Sequence, residues 1–191
     1  MSRVDGILEF WFGAADDPGY GAPREAWFKK DPAFDAEVRK RFSLDYELAA
    51  GGGFDQLRSS PRSALALILV LDQFPRNMFR DNPRAYAADA KARDVARWAV
   101  AAKFDQALLP VERQFVYLPF EHSEELADQR RSVALLARLP DDPNTRHALD
   151  WARRHLEIIE RFGRFPHRNA ILGRETTAEE AAFLSGPGSA F

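Results

Sequence analysis

The sequence contains no cysteine. This removes disulfides, thiol nucleophiles, thiolate zinc sites and iron–sulfur clusters, and it suits a reducing compartment. A long hydrophobic run is also missing. The longest uninterrupted apolar stretch, Ala64–Leu71, has eight residues, whereas a membrane-spanning helix needs about 20. The opening Met1-Ser2-Arg3-Val4-Asp5 reaches an acid at once and Glu9 interrupts the stretch that follows, which is not the pattern of a signal peptide. A cytoplasmic protein without membrane contact is expected. Charge of either sign is not in excess: 27 basic and 29 acidic residues leave a net charge of −2, which excludes a globally basic nucleic-acid binder. No His-Glu-x-x-His or paired Glu-x-x-His is present, so neither a metal nor another cofactor is expected. Gly-x-Ser-x-Gly and a phosphate loop ending in Gly-Lys-Ser/Thr are absent as well. The triple glycine at 51–53 follows no strand and is no dinucleotide fingerprint.

What is present is core material on a helical period. The 191 residues are 46% hydrophobic, with fifteen Phe and four Trp, enough for a single domain spanning 1–191. Asp31-Pro32 and Ser60-Pro61 are helix starts, a capping side chain followed by proline at the first position. After the first, Phe34, Val38, Phe42 and Tyr46 form one stripe that Gly51-Gly52-Gly53 ends. After the second, Ala64–Leu71 is expected as a helix buried on all sides. A helix over Ala88–Phe104 should bury Val95, Trp98 and Ala102. Pro110 should open a short helix that Pro119 closes, and Ser123 should cap the next, with Leu126, Val133, Leu136 and Leu139 inward. Asp142-Pro143 starts a long helix to about Phe162, and Thr177-Ala178-Glu179-Glu180 is a capping box. With no alternation bounded by hairpin turns, the fold class is all-α.

Three polar clusters stand at the ends of these apolar segments. Asp72, Gln73, Arg76 and Asn77 follow the buried helix. Arg113, Tyr117 and Glu121 recur at i+4, with His122 beside Glu121, Glu124 and Glu125. Arg164, His167, Arg168 and Asn169 lie in a stretch, Arg146–Arg174, that holds seven Arg against three acids. Arginine suits two-pronged recognition of carboxylate or phosphate, although a GC-rich genome also enriches it. An unpartnered buried polar group costs about 1–3 kcal/mol. The clusters must therefore lock helices together or converge on a ligand, and in the third the cations exceed the local acids. His155 lies on the Trp151–Ile158–Phe162 face, as a hydrogen-bonded core residue would. His147 falls at an exposed helix start.

Leu8-Glu9-Phe10-Trp11-Phe12-Gly13, Leu71-Asp72-Gln73-Phe74-Pro75-Arg76-Asn77, Tyr117-Leu118-Pro119-Phe120-Glu121-His122-Ser123-Glu124 and Phe162-Gly163-Arg164-Phe165-Pro166-His167-Arg168-Asn169 together resemble the bacterial DUF924 family over nearly the whole chain. Leu57 departs from it, since many members carry Trp there. The resemblance implies a compact multi-helix array related to the tetratricopeptide-repeat (TPR-like) superfamily, and no established activity. From the residues, the leading expectation is a small anionic ligand in a helical pocket. Asp72, Gln73, Arg76, Asn77, Arg113, Tyr117, Glu121, Arg164, Arg168 and Asn169 would hold it, and His167 or His122 would carry a proton if a reaction occurs. The alternative is a TPR-like interaction module that clamps a peptide carboxylate without catalysis. Nucleic acid is a weaker candidate, because the aromatics look committed to the core.

Overall fold

The structure, a computed structural model, describes residues 2–186, and within them every regular element is helical. Local chemistry sets most of the boundaries. Helix α1 (Arg3–Phe12) starts where the Ser2 hydroxyl accepts the Asp5 N–H, and stops at Gly13, whose φ of +97° suits glycine. Asp31 accepts the N–H groups of Ala33 and Phe34 to open α2 (Pro32–Ala50). Val38, Phe42 and Tyr46 of the expected stripe are buried, and Phe34 is half-buried against them. Ser60 caps α3 (Pro61–Ile68).

The chain does not leave the helical path after α3. It passes through a π-helical turn, Leu69–Gln73, and resumes as α4 (Phe74–Met78). Pro75 supplies the reason. A proline inside a regular helix lacks an N–H and clashes with the carbonyl four residues earlier. The wider turn relieves that clash, and Phe74 N–H bonds back to Leu69 instead. From Ala64 through Asp72 no residue is more than 1% exposed, so the helix expected to be buried on all sides is so, with a polar residue at its end.

The later helices are α5 (Asp89–Ala101), α6 (Pro110–Glu121), α7 (Leu126–Leu136), α8 (Pro143–Phe162) and α9 (Ala178–Leu184). Asp142 and Thr177 make capping boxes where expected, and Gly163 closes α8 at φ +67°. Four expectations need correction. The buried face of α5 is Ala92, Val95, Ala96 and Ala99; Trp98 is 53% exposed, its indole N–H donated to the Arg58 carbonyl, and Ala102 is exposed. The α6 helix runs through Pro119 to Glu121. Ser123 precedes α7 by a turn, accepting the Glu125 N–H and donating to Asp128, while Glu125 occupies the cap position. In α7 the deepest residues are Gln129 and Ser132, beside Leu135 and Leu136; Leu126 and Val133 are only half-buried, and Leu139 is buried just beyond the helix.

The π turn and α4 lie against α2. The α3 helix packs on α1, α5 and α6, and α6, α7 and α8 pack on one another. The core between them is aromatic: Trp11, Trp27, Phe74 and Phe115 interlock, with Trp27 and Phe115 edge to face at 4.9 Å. A smaller cluster of Ile158, Ile159 and Phe165 receives Phe183 of α9.

Candidate functional site

The π turn delivers Asp72 to the interior with no exposed surface, where both carboxylate oxygens are used. Gln73 Nε2 donates to Oδ2 at 2.6 Å, and His122 Nδ1 lies 2.8 Å from Oδ1. Arg76 completes the turn. Its Nη1 donates to the Asp72 carbonyl at 2.7 Å and lies 3.4 Å from Oδ1, while Nη1 and Nη2 together grip Asp89 at 2.9 Å each. Burial pushes the Asp72 carboxyl up, but Arg76 and His122 outweigh it and hold it below the usual range. Burial, helped by Arg76, holds His122 below the ordinary imidazole value despite Asp72. An ionised Asp72 beside a neutral His122 fixes the tautomer: the proton sits on Nδ1, and Nε2 keeps its lone pair. The His122 side chain is 14% exposed. This is a carboxylate–histidine dyad able to accept a proton.

His122 is held from the backbone as well. Gln129, fully buried, donates Nε2 to the carbonyls of Glu121 and Ser123 at 2.6 Å each, so α7 clamps both sides of the histidine. Arg168 donates Nη1 to the His122 carbonyl at 3.0 Å. Its guanidinium lies 4.7 Å from the Tyr86 ring centre and 4.4 Å from that of Phe165, and the nearest carboxylate oxygen, on Asp89, is 3.9 Å away. Burial and then Arg76 lower its pKa to about 10. Its Nε is buried without a hydrogen-bond partner among the described residues.

Glu121 points elsewhere than its neighbour. It is buried 3.2 Å from His155 Nδ1, which itself lies 2.9 Å from the Trp151 carbonyl, confirming His155 as a hydrogen-bonded core residue. Burial, with Asp72 adding, raises Glu121 to about 8, and burial lowers His155 to about 3. His167 is half-buried with its ring 5.6 Å from Phe165, and burial followed by Arg168 lowers it to about 4.

The other candidate residues divide among separate locks. Asn77 donates to Asp35, which also receives Arg80. Tyr117 donates to Asp105 at 2.7 Å and accepts from Arg113 Nε at 3.2 Å. Arg164 grips Glu180 at 2.6 and 2.8 Å, and Asn169 adds a third donor at 3.2 Å. Arg174 grips Glu124 at 2.7 and 3.0 Å. The expected excess of cations in the third cluster is therefore corrected. Glu180 neutralises Arg164 and Glu124 neutralises Arg174 just beyond the cluster, and Arg168 is left with the weakest counterion. Tyr117→Phe should destabilise the protein by about 2 kcal/mol, because buried Asp105 loses a donor to a charged group. Urea unfolding measures this; no change would mean that another donor replaces the phenol.

Two shallow depressions are present, one of about 150 Å³ lined by residues such as Leu136, Pro140 and Leu149, the other of about 120 Å³ beside Glu9, Tyr20 and Arg62. Neither is lined by the Asp72–His122–Arg168 group. Among the described residues no helix is long and apolar enough to cross a membrane, and no group of three His, Asp or Glu is placed to hold a metal ion.

These features define an all-α protein with a desolvated acid–base cluster where the π turn, the α6–α7 junction and the segment after α8 meet. The chain belongs to the DUF924 family, bacterial proteins of unknown function, whose model matches residues 7–188. It is similar to the solved structure of ATU0120, a protein of unknown function from Agrobacterium tumefaciens, at 42% identity over 95% of this chain and 96% of that one, with a TM-score of 0.84. No curated protein matches it.

Proposed function

We propose that this chain is a single-domain cytoplasmic protein that binds a small anionic molecule beside Arg168 and His122, with His122 Nε2 as the proton acceptor. The observation that carries the reading is Arg168. It is a buried guanidinium whose Nε has no partner and whose nearest carboxylate oxygen lies beyond hydrogen-bond reach, at 3.9 Å. An unused donor on a buried guanidinium offers an anion a charge-assisted hydrogen bond. The Asp72–His122 dyad adds the chemistry. With its Nδ1 proton committed to Asp72, the imidazole can take a proton from a ligand or a water and hold the resulting cation against the carboxylate. Arg164, Asn169, Arg113, Tyr117 and Asn77 then support the fold around the site rather than touching the ligand.

Thermal unfolding against a panel of small anions and their neutral analogues tests this. An anion present at 100 times its dissociation constant adds about 2.7 kcal/mol, roughly 5–11 °C for a chain of this length. Arg168→Ala should remove that shift while Arg164→Ala retains it. If no anion stabilises the protein and Arg168→Ala alone unfolds it, the cluster is a lock between helices, and a peptide partner becomes the better reading.

A further inference from the structure

We infer that the Nε–Nη2 edge of Arg168 is a receptor for the carboxylate of a small monocarboxylic acid. The inference rests on the anion-binding reading above and narrows its ligand class.

One edge of this guanidinium is uncommitted. The Tyr86 and Phe165 ring centres lie 4.7 and 4.4 Å from its Cζ. Nη1 is committed to the His122 carbonyl. Nε, on the opposite side, has no partner, and no hydrogen bond engages Nη2 among the described residues. Nε–H and the adjoining Nη2–H point the same way, and their spacing matches the two oxygens of a carboxylate. The same edge already grips carboxylates elsewhere in this protein: Arg80 holds Asp35 through Nε and Nη2, and Arg164 holds Glu180 likewise. Arg168 differs in having the fork without the acid.

Charge then chooses between a carboxylate and a phosphate. Asp72 and Asp89 stand against Arg76 and Arg168, so the cluster is neutral before any ligand arrives, with Glu121 and His155 both on their uncharged side at neutral pH. A monoanion leaves one excess charge in a desolvated setting, and a phosphate dianion leaves two. Phosphate would also recruit further cations, but Arg76, Arg164 and Arg174 each hold a carboxylate in a two-pronged grip. One free fork in a neutral cluster fits one carboxylate.

The test is the Arg Nε–H region of the ¹⁵N NMR spectrum, with Arg168 assigned through its own side chain. The whole protein is titrated at fixed ionic strength with acetate, glycolate, acetamide, inorganic phosphate, and a blocked tripeptide in acid and amide forms. Expected is a saturable downfield shift of the Arg168 Nε–H with acetate or glycolate and none with acetamide or phosphate. Arg168→Lys, which keeps the charge and loses the fork, should bind at least about tenfold more weakly. The wild-type titration decides the matter even if that variant fails to fold. A saturable response to phosphate alone would overturn the carboxylate assignment while leaving an anion site. A response to the tripeptide acid alone would overturn the small ligand in favour of a peptide terminus. No response to any probe would overturn both this inference and the reading beneath it.

Discussion

Asp72→Ala should cost about 3–5 kcal/mol, the range for removing one partner from a buried ion pair. That is a large share of the roughly 5–15 kcal/mol by which a domain is stable. Three donors lose their acceptor at once: Gln73 Nε2, His122 Nδ1 and part of Arg76. Arg76 keeps Asp89, so the loss stops short of leaving a guanidinium wholly unpaired. At about 2–4 °C per kcal/mol for this length, the melting temperature should fall by roughly 6–20 °C. Asp72→Asn separates shape from charge. Its amide has one oxygen for two donors, so it must present N–H₂ to either Gln73 or His122. His122 can accept by moving its proton to Nε2, which keeps the structure but removes the lone pair that would accept a ligand's proton. Calorimetry together with ¹⁵N-histidine spectra checks both variants. A fall of under 1 kcal/mol for Asp72→Ala would show that Asp72 does not organise this site.

The sequence announced its helix starts because each rests on neighbours within a few residues: Asp31-Pro32, Ser60-Pro61, Asp142-Pro143 and the Thr177 box all cap as read. The burial of Ala64–Leu71 was equally plain, since a run without polar residues has no solvent face. The π turn was not visible. Pro75 marks a break in hydrogen bonding, but whether the chain kinks, stops or widens depends on what packs around it. Pro119 signals a stop for the same reason, yet α6 continues past it. Trp98 misled because one large side chain outweighed the Ala92, Val95, Ala96, Ala99 face. The polar partnerships were the least legible part. Asp72–His122 and Glu124–Arg174 each span 50 residues; nothing local in Asp89 or Tyr86 singles them out, and nothing local in Glu124 or Glu180 says which arginine each will hold. Asp72, Arg76, His122 and Arg168 stand out in the motifs as chemistry-bearing. Which arginines hold an acid is set only when the folded chain brings those acids in, and then one arginine stands apart.

Stability should be greatest near pH 6.5 and fall by about 2 kcal/mol on going to pH 8, with Glu121→Gln abolishing the fall. The sign follows from the protons each state binds. Glu121 ordinarily titrates at 4.5 but is raised to about 8 in the fold, first by burial and then by Asp72. Between those values the folded protein holds a proton that the unfolded chain has released, so unfolding becomes easier as pH rises. His155 and His167 act in the opposite direction. Burial lowers them from 6.5 to about 3 and about 4, so in that range only the unfolded chain gains their protons and stability rises with pH. From 4.5 to 6.5 these contributions oppose one another. Above 6.5 both histidines, and His122 which is lowered as well, are neutral in either state, and Glu121 alone among the four still distinguishes folded from unfolded. One and a half pH units at about 1.4 kcal/mol each gives the expected loss. Glutamine has nearly the same shape as the protonated acid and no proton to lose, so its stability curve should be flat where the native protein's declines. Urea denaturation at half-unit steps from pH 5.5 to 8.5 measures both curves. Parallel curves would mean that Glu121 is already ionised in the fold at neutral pH, beside a neutral His155. The buried cluster would then carry an extra negative charge, and the neutral setting that makes Arg168 receptive to a single carboxylate would no longer hold.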